Sequence, residues 1–156
     1  MARFRLQEER GYTLIELTVV MVIIAVLVGI AIPTFYGLRD RAHDTAAKAS
    51  AVLGVRTARV VGEVTLFGGV TTAMLNDTEP SLTFVDGSQA STSFSVVSYV
   101  IPDAGSGDSI LVTAVRSTSG TCFMIRHQDA GSDFAVAPVP TCKAEDHALM
   151  AFGPSW

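Results

Sequence analysis

The chain has 156 residues, enough for one domain with a hydrophobic core. A formal charge of −4 and only two lysines, Lys48 and Lys143, leave no basic footprint for non-specific nucleic-acid binding, so bulk charge predicts no nucleic-acid partner. Apolar residues make up 49% of the sequence and crowd towards its start, and no HExxH, GxSxG or P-loop pattern occurs, so the reading is of a non-enzyme without a cofactor.

Residues 1–11 are polar, with Arg3, Arg5, Glu8, Glu9 and Arg10. An uncharged apolar run follows from Leu17 to Ile32. As a helix, Tyr12 to Ile32 would rise about 31 Å, enough to cross a hydrocarbon core. Three arginines precede the run and the next basic residue is Arg39, which puts the N-terminus in the cytoplasm and the rest outside. A buried core helix would need a wet face that this run lacks. A secretory signal cut at Gly29-Ile30-Ala31, and a plain signal anchor, are the other ordinary explanations. Glu16 decides between them. A carboxylate one turn into a membrane helix costs roughly 2.5–3.5 kcal/mol at mid-helix, less near an end, and is useless to a disposable signal or an inert anchor.

Gly11-Tyr12-Thr13-Leu14-Ile15-Glu16-Leu17 resembles the G-F-T-L-I-E-L motif of type IV pilins and type II secretion pseudopilins. The resemblance implies cleavage after Gly11 by a prepilin peptidase and N-methylation of Tyr12, which stands where the family usually has Phe. Glu16 then becomes the fifth residue of the mature chain, the family's glutamate position, and Pro33 falls where pilins carry a helix-bending proline. Residues 1–11 are thus a leader and 12–33 a membrane-spanning and filament-core helix. The partners implied are other copies of the chain in a helical filament, the peptidase, and the assembly platform with its ATPases. The implied location is the bacterial cytoplasmic membrane as a single-pass precursor, then an extracellular pilus.

Cleavage would expose an α-amino group with a pKa of about 7.7–8.0, able to pair with Glu16 in the same or a neighbouring subunit. Gly29, with Ala25 and Ala31, permits close helix approach, and is equally the ordinary composition of a membrane helix. Pro33 removes a helix hydrogen bond and can kink or melt the helix locally. Phe35 and Tyr36 mark the membrane–water boundary.

From residue 34 the pattern is amphipathic, with Leu38, Ala42, Ala46, Ala49 and Leu53 on one face, and the helix is expected to end near Gly62. Continuous over 12–61 it would be about 75 Å long. Residues 63–156 read as a β-rich head, with strands at Ser95–Ile101, Ile110–Arg116 and Cys122–Arg126 and a weaker one at Thr83–Val85. Pro138, Pro140 and the region of Cys142 read as loop. The fold class is α+β, a long N-terminal helix packed on a small antiparallel sheet.

Cys122 and Cys142 fit neither a CxxC redox pair nor a zinc module, and in an exported segment one disulfide is their simplest use, two buried thiols being the alternative. Such a bridge would resemble the C-terminal disulfide loop of many pilins, and makes residues 127–142 the first place to look for adhesion. Asp103 and Asp108, in Asp103-Ala104-Gly105-Ser106-Gly107-Asp108, suggest a calcium turn, though a solvated hairpin turn has the same composition. His43, His127 and His147 are too scattered for a metal or a catalytic triad. Two other functions fit part of the sequence: a type II secretion pseudopilin, and a secreted soluble binding domain that begins at Ile32.

Overall fold

The computed structural model describes residues 11–65, 69–102, 110–128 and 130–156. The chain divides after Leu38 into two compact units. The first unit contains the start of α1 (Leu14–Thr65), and every described residue through Leu38 is exposed. The helix is unbroken at Pro33. Proline has no N–H to offer the carbonyl of Gly29, so one rung of the ladder is missing, while the Thr34 hydroxyl donates to Ile30 O one residue on, at 3.2 Å.

In the second unit the remainder of α1 packs on a five-stranded sheet. The strands are β1 (Thr83–Asp86), β2 (Val96–Val100), β3 (Leu111–Arg116), β4 (Cys122–Gln128) and β5 (Gly131–Ala137), adjacent in chain order. β2 to β5 pair antiparallel, and β1 pairs parallel with β2, Thr83 opposite Val96. The antiparallel sheet expected from the sequence is present, with one parallel pair, β1–β2, at its edge. Residues 87–95 double back, with the Thr83 N–H donating to Ser95 O at 2.8 Å. Gly87 makes that turn feasible, because a Cβ there would lie 2.7 Å from Val100 Cβ.

Period-two alternation divides the side chains of β2 to β4 between two faces. Val97, Tyr99, Leu111, Val115, Phe123 and Ile125 form one core with Ala47, Ala51, Val55, Ala58 and Val61 of α1. Val112, Ala114, Cys122, Met124 and Ala135 form another on the opposite face, covered by Cys142, Ala144, Met150 and Phe152. The helix thus lies on one face and the C-terminal segment on the other. That segment carries a 3-10 helix, Ala144–Leu149, and then pairs with the free edge of β5, Gly153 and Phe134 exchanging hydrogen bonds of 2.7 and 2.8 Å. Trp156 ends on the helix side, its ring 5.4 Å from Phe123 and 4.9 Å from Phe134, with Lys48 Nζ 5.3 Å from the Phe123 ring centroid.

Three expectations need correction. The buried stripe of α1 is Ala47, Ala51, Val55, Ala58 and Val61; Leu38, Ala42 and Ala49 are exposed and Ala46 and Leu53 only half-buried. Gly62 does not end the helix but lies inside it, buried, and α1 runs to Thr65. Residues 127–142 are not one loop, since β5 occupies their middle and pairs with β4 along its whole length. A short helix, α2 (Thr72–Thr78), lies outside the expected elements; Thr71 caps it by accepting the Met74 N–H at 3.4 Å, and it packs on β1 through Asn76, which bonds both backbone groups of Phe84.

Candidate functional site

Gly11, Tyr12 and Thr13 precede α1 in exposed, non-helical backbone, Tyr12 with 82% of its surface accessible. The peptide bond between Gly11 and Tyr12 therefore lies in an exposed stretch of the described residues. Thr13 then starts the helix, its carbonyl accepting the Leu17 N–H at 3.3 Å. Its hydroxyl accepts the Glu16 N–H at 3.3 Å and donates to Glu16 Oε2 at 2.9 Å, while the Thr13 N–H donates to the same oxygen at 3.0 Å. This is a reciprocal capping box, and it satisfies two backbone donors at a helix start that has no preceding turn to do so.

Among the described residues the partner of Glu16 is thus Thr13, and Glu16 makes no ion pair there. The sequence carries the signal: Thr-x-x-Glu immediately before an apolar run is a helix-start signature as well as an intramembrane charge. With Gly11 attached, the Tyr12 nitrogen is an amide and offers no charge.

The described part of the first unit presents Leu14, Ile15, Leu17, Val19 to Ile24 and Val26 to Val28 to the surroundings on all sides of the helix. The most apolar 18-residue window of α1 has a mean hydropathy of 2.9 and none of it is buried, the composition of a membrane span. Among the described residues a side chain at Gly29 would meet nothing within 4 Å. Phe35 and Tyr36 lie exposed just past Pro33, beside Ala31 and Ile32.

Cys122 and Cys142 are joined in a disulfide, their Cα atoms 5.4 Å apart. The bridge pins the C-terminal segment to β4 on the face opposite the helix, where both cysteines are fully buried. Ser91 N–H donates to Cys142 O at 2.8 Å, and Arg116 donates to the carbonyls of Val139 and Pro140, so hydrogen bonds hold the covering segment as well as the bridge.

Asp103 and Asp108, the calcium candidates, lie outside the described residues, as do residues 1–10 of the leader. Among the described residues no group of three His, Cys, Asp or Glu side chains could hold a metal. His43, His127 and His147 each bond locally, to Arg39, Ser132 and Ala144 O.

Residues 7–32 match the family described as the prokaryotic N-terminal methylation motif. Over 55 residues, 35% of this chain, the sequence is 46% identical to the type IV narrow pilus major component PilA5 of Thermus thermophilus. The match spans 47% of that relative's own length. No solved structure matches the chain. The peptide ahead of the helix, the Thr13–Glu16 cap and the apolar span through Ile32 are the parts the motif covers, so the chain carries at its N-terminus the methylation motif and is similar there to a type IV pilus component.

Proposed function

We propose that the chain is a structural subunit of a type IV pilus. It is made as a single-pass precursor in the cytoplasmic membrane, cut after Gly11, methylated at Tyr12, and polymerised through the first part of α1 into a helical filament. The observation that carries this reading is the exposed apolar helix that starts at a capped glutamate, with its scissile bond in exposed, non-helical backbone.

The chemistry follows from cost. A helix without charges after Leu17 and before Arg39 passes between lipid and a filament core with little penalty, except at Glu16. Cleavage supplies the missing cation, an α-amino group that methylation leaves basic. Glu16 of one copy and the Tyr12 amine of another then neutralise each other in one register only, and Thr13 holds the carboxylate until that partner arrives. Gly29 lets a neighbouring helix approach closely, and Pro33, with its missing hydrogen bond, is where α1 stretches inside a fibre. The name of the Thermus relative, a pilus major component, supports a pilus over a secretion pseudopilus.

The test is to shear cells expressing the chain and examine the released material by electron microscopy with antibodies to the head. Fibres labelled along their length, absent from cells lacking the prepilin peptidase, are expected. A chain confined to the membrane in peptidase-competent cells that pilate normally, or a soluble species that begins at Ile32, would contradict a filament subunit.

A further inference from the structure

The second unit has a small groove between α1 and the β4–β5 end of the sheet, about 160 Å³ in volume. Its floor is apolar, formed by Val55, Ile125 and Phe134. The exposed Arg56 and Arg59 line it too, as does His127, hydrogen-bonded to Ser132 at 2.8 Å. Sites for small organic ligands run from roughly 300 to 1,000 Å³, so a space this size fits one or two side chains rather than a cofactor.

Among the described residues the two arginines of this groove are unanswered. Arg126 pairs with Asp133 and Lys143 with Glu145, Arg116 is used by carbonyls, and Lys48 lies over the Phe123 and Trp156 rings. Arg56 and Arg59 have neither an ion pair nor a hydrogen bond among the described residues. Glu63, one turn past Arg59, does not pair with it. Two exposed guanidinium groups above an apolar floor are a receptor for a carboxylate that carries an apolar neighbour.

The same unit presents that combination at the other end of its sheet. β1 and β5 are the two edges, and α2 packs beside β1. Asp77 of α2 is exposed and has no partner among the described residues. Met74, three residues earlier and so on the same helix face, is 38% exposed. An acidic-apolar knob at one edge and a basic-apolar groove towards the other cannot meet within one copy, but they can meet between copies arranged head to tail. A heterologous contact of this kind propagates into a helical filament instead of closing as a dimer.

We infer that in the filament the Arg56–Arg59 groove of one copy receives Asp77 and Met74 of the next. This rests on the filament reading and adds to it a second contact, between heads, independent of the N-terminal helix. The thioether of Met74 packs against Phe134 and Ile125, and the arginines share the Asp77 carboxylate.

The test uses the full chain in pilating cells and reads sheared fibre against the processed, disulfide-bonded pool in the membrane. R56E/R59E and D77R each bring like charges together and are expected to lower that ratio about tenfold or more. The three changes combined restore opposite charges and are expected to recover most of the fibre. Fibre yields unchanged in R56E/R59E would overturn the inference and leave the filament reading intact. Loss in R56E/R59E with no recovery in the combined variant would equally overturn it, and would point to an anion from outside the chain. Absence of fibres from the unaltered chain would remove the filament reading itself, and the inference with it.

Discussion

One hydroxyl group, that of Thr13, both accepts from the backbone of Glu16 and donates to its carboxylate, at 3.3 and 2.9 Å. The helix cap and the housing of Glu16, the one charged residue from Tyr12 to Leu38, are therefore the same interaction. Thr13→Ala removes both bonds, at a cost typical of an N-cap, about 0.5–2 kcal/mol. It also leaves the Glu16 carboxylate with only the backbone N–H of residue 13 as a partner before an amine can reach it. Cleavage after Gly11 should persist while the fibre yield per processed subunit falls several-fold, and Thr13→Ser should restore it; quantitative blotting of sheared and membrane fractions measures both.

Gly54 sits where α1 comes close to the sheet. A Cβ there would lie 3.0 Å from Val97 Cγ1 and 3.7 Å from the Phe84 ring. Gly54→Ala gains up to about 1 kcal/mol of helix propensity and is opposed by overpacking of about 1–3 kcal/mol. Net destabilisation is expected, and Gly54→Leu should abolish the folded head. Denaturant unfolding of the detergent-solubilised chain checks the order.

The Cys122–Cys142 bridge should contribute about 3 kcal/mol in the chain-entropy model. Replacing both cysteines by alanine frees the segment that covers Val112, Ala114 and Met124. Thermal unfolding should then begin roughly 10 °C or more lower, and limited proteolysis should cut first between Pro138 and Met150.

Tyr99 has its phenol pushed above the ordinary value, first by burial and then by the charge of Asp86. The neutral phenol is the form the folded state favours. Its contribution is full below about pH 10, the unfolded value, and is lost as pH rises through the folded value. Tyr99→Phe should flatten the alkaline limb of a stability–pH curve. Asp86 behaves in the opposite sense: hydrogen bonds from the Ser88 N–H and hydroxyl lower it, so its small, solvent-screened contribution is lost only on acidification.

The motif, the long helix and three strands are legible in the sequence because each is carried by an unambiguous pattern. Glu16 stands alone against an apolar background, and the β2, β3 and β4 segments are rich in strand-forming residues and bounded by turn residues. The buried face of α1 is not, because alanines at 42, 46, 47, 49 and 51 are nearly equivalent for periodicity, and only contact with the sheet selects 47 and 51. β5 is hidden because Gly131-Ser132-Asp133 opens it as a turn would and Pro138 closes it. The runs Leu111–Val115 and Cys122–Ile125 do hold a further signal: they lack the polar alternation of a one-sided strand, as strands buried on both faces do. The second cover is the C-terminal segment, which sequence alone offers only as loop. By helical spacing Arg56 and Arg59 read as solvated positions, and only the position of β5 turns them into the lining of a groove.

The first quantity to measure is the intact mass and N-terminal sequence of the chain recovered from membranes and from sheared fibres. A mature chain that begins at Tyr12 and carries one added methyl group is the expected result in both fractions. A start at Ile32, or an uncut N-terminus in cells that process other prepilins, would contradict the assignment of Gly11, Tyr12 and Glu16 as its processing and assembly site.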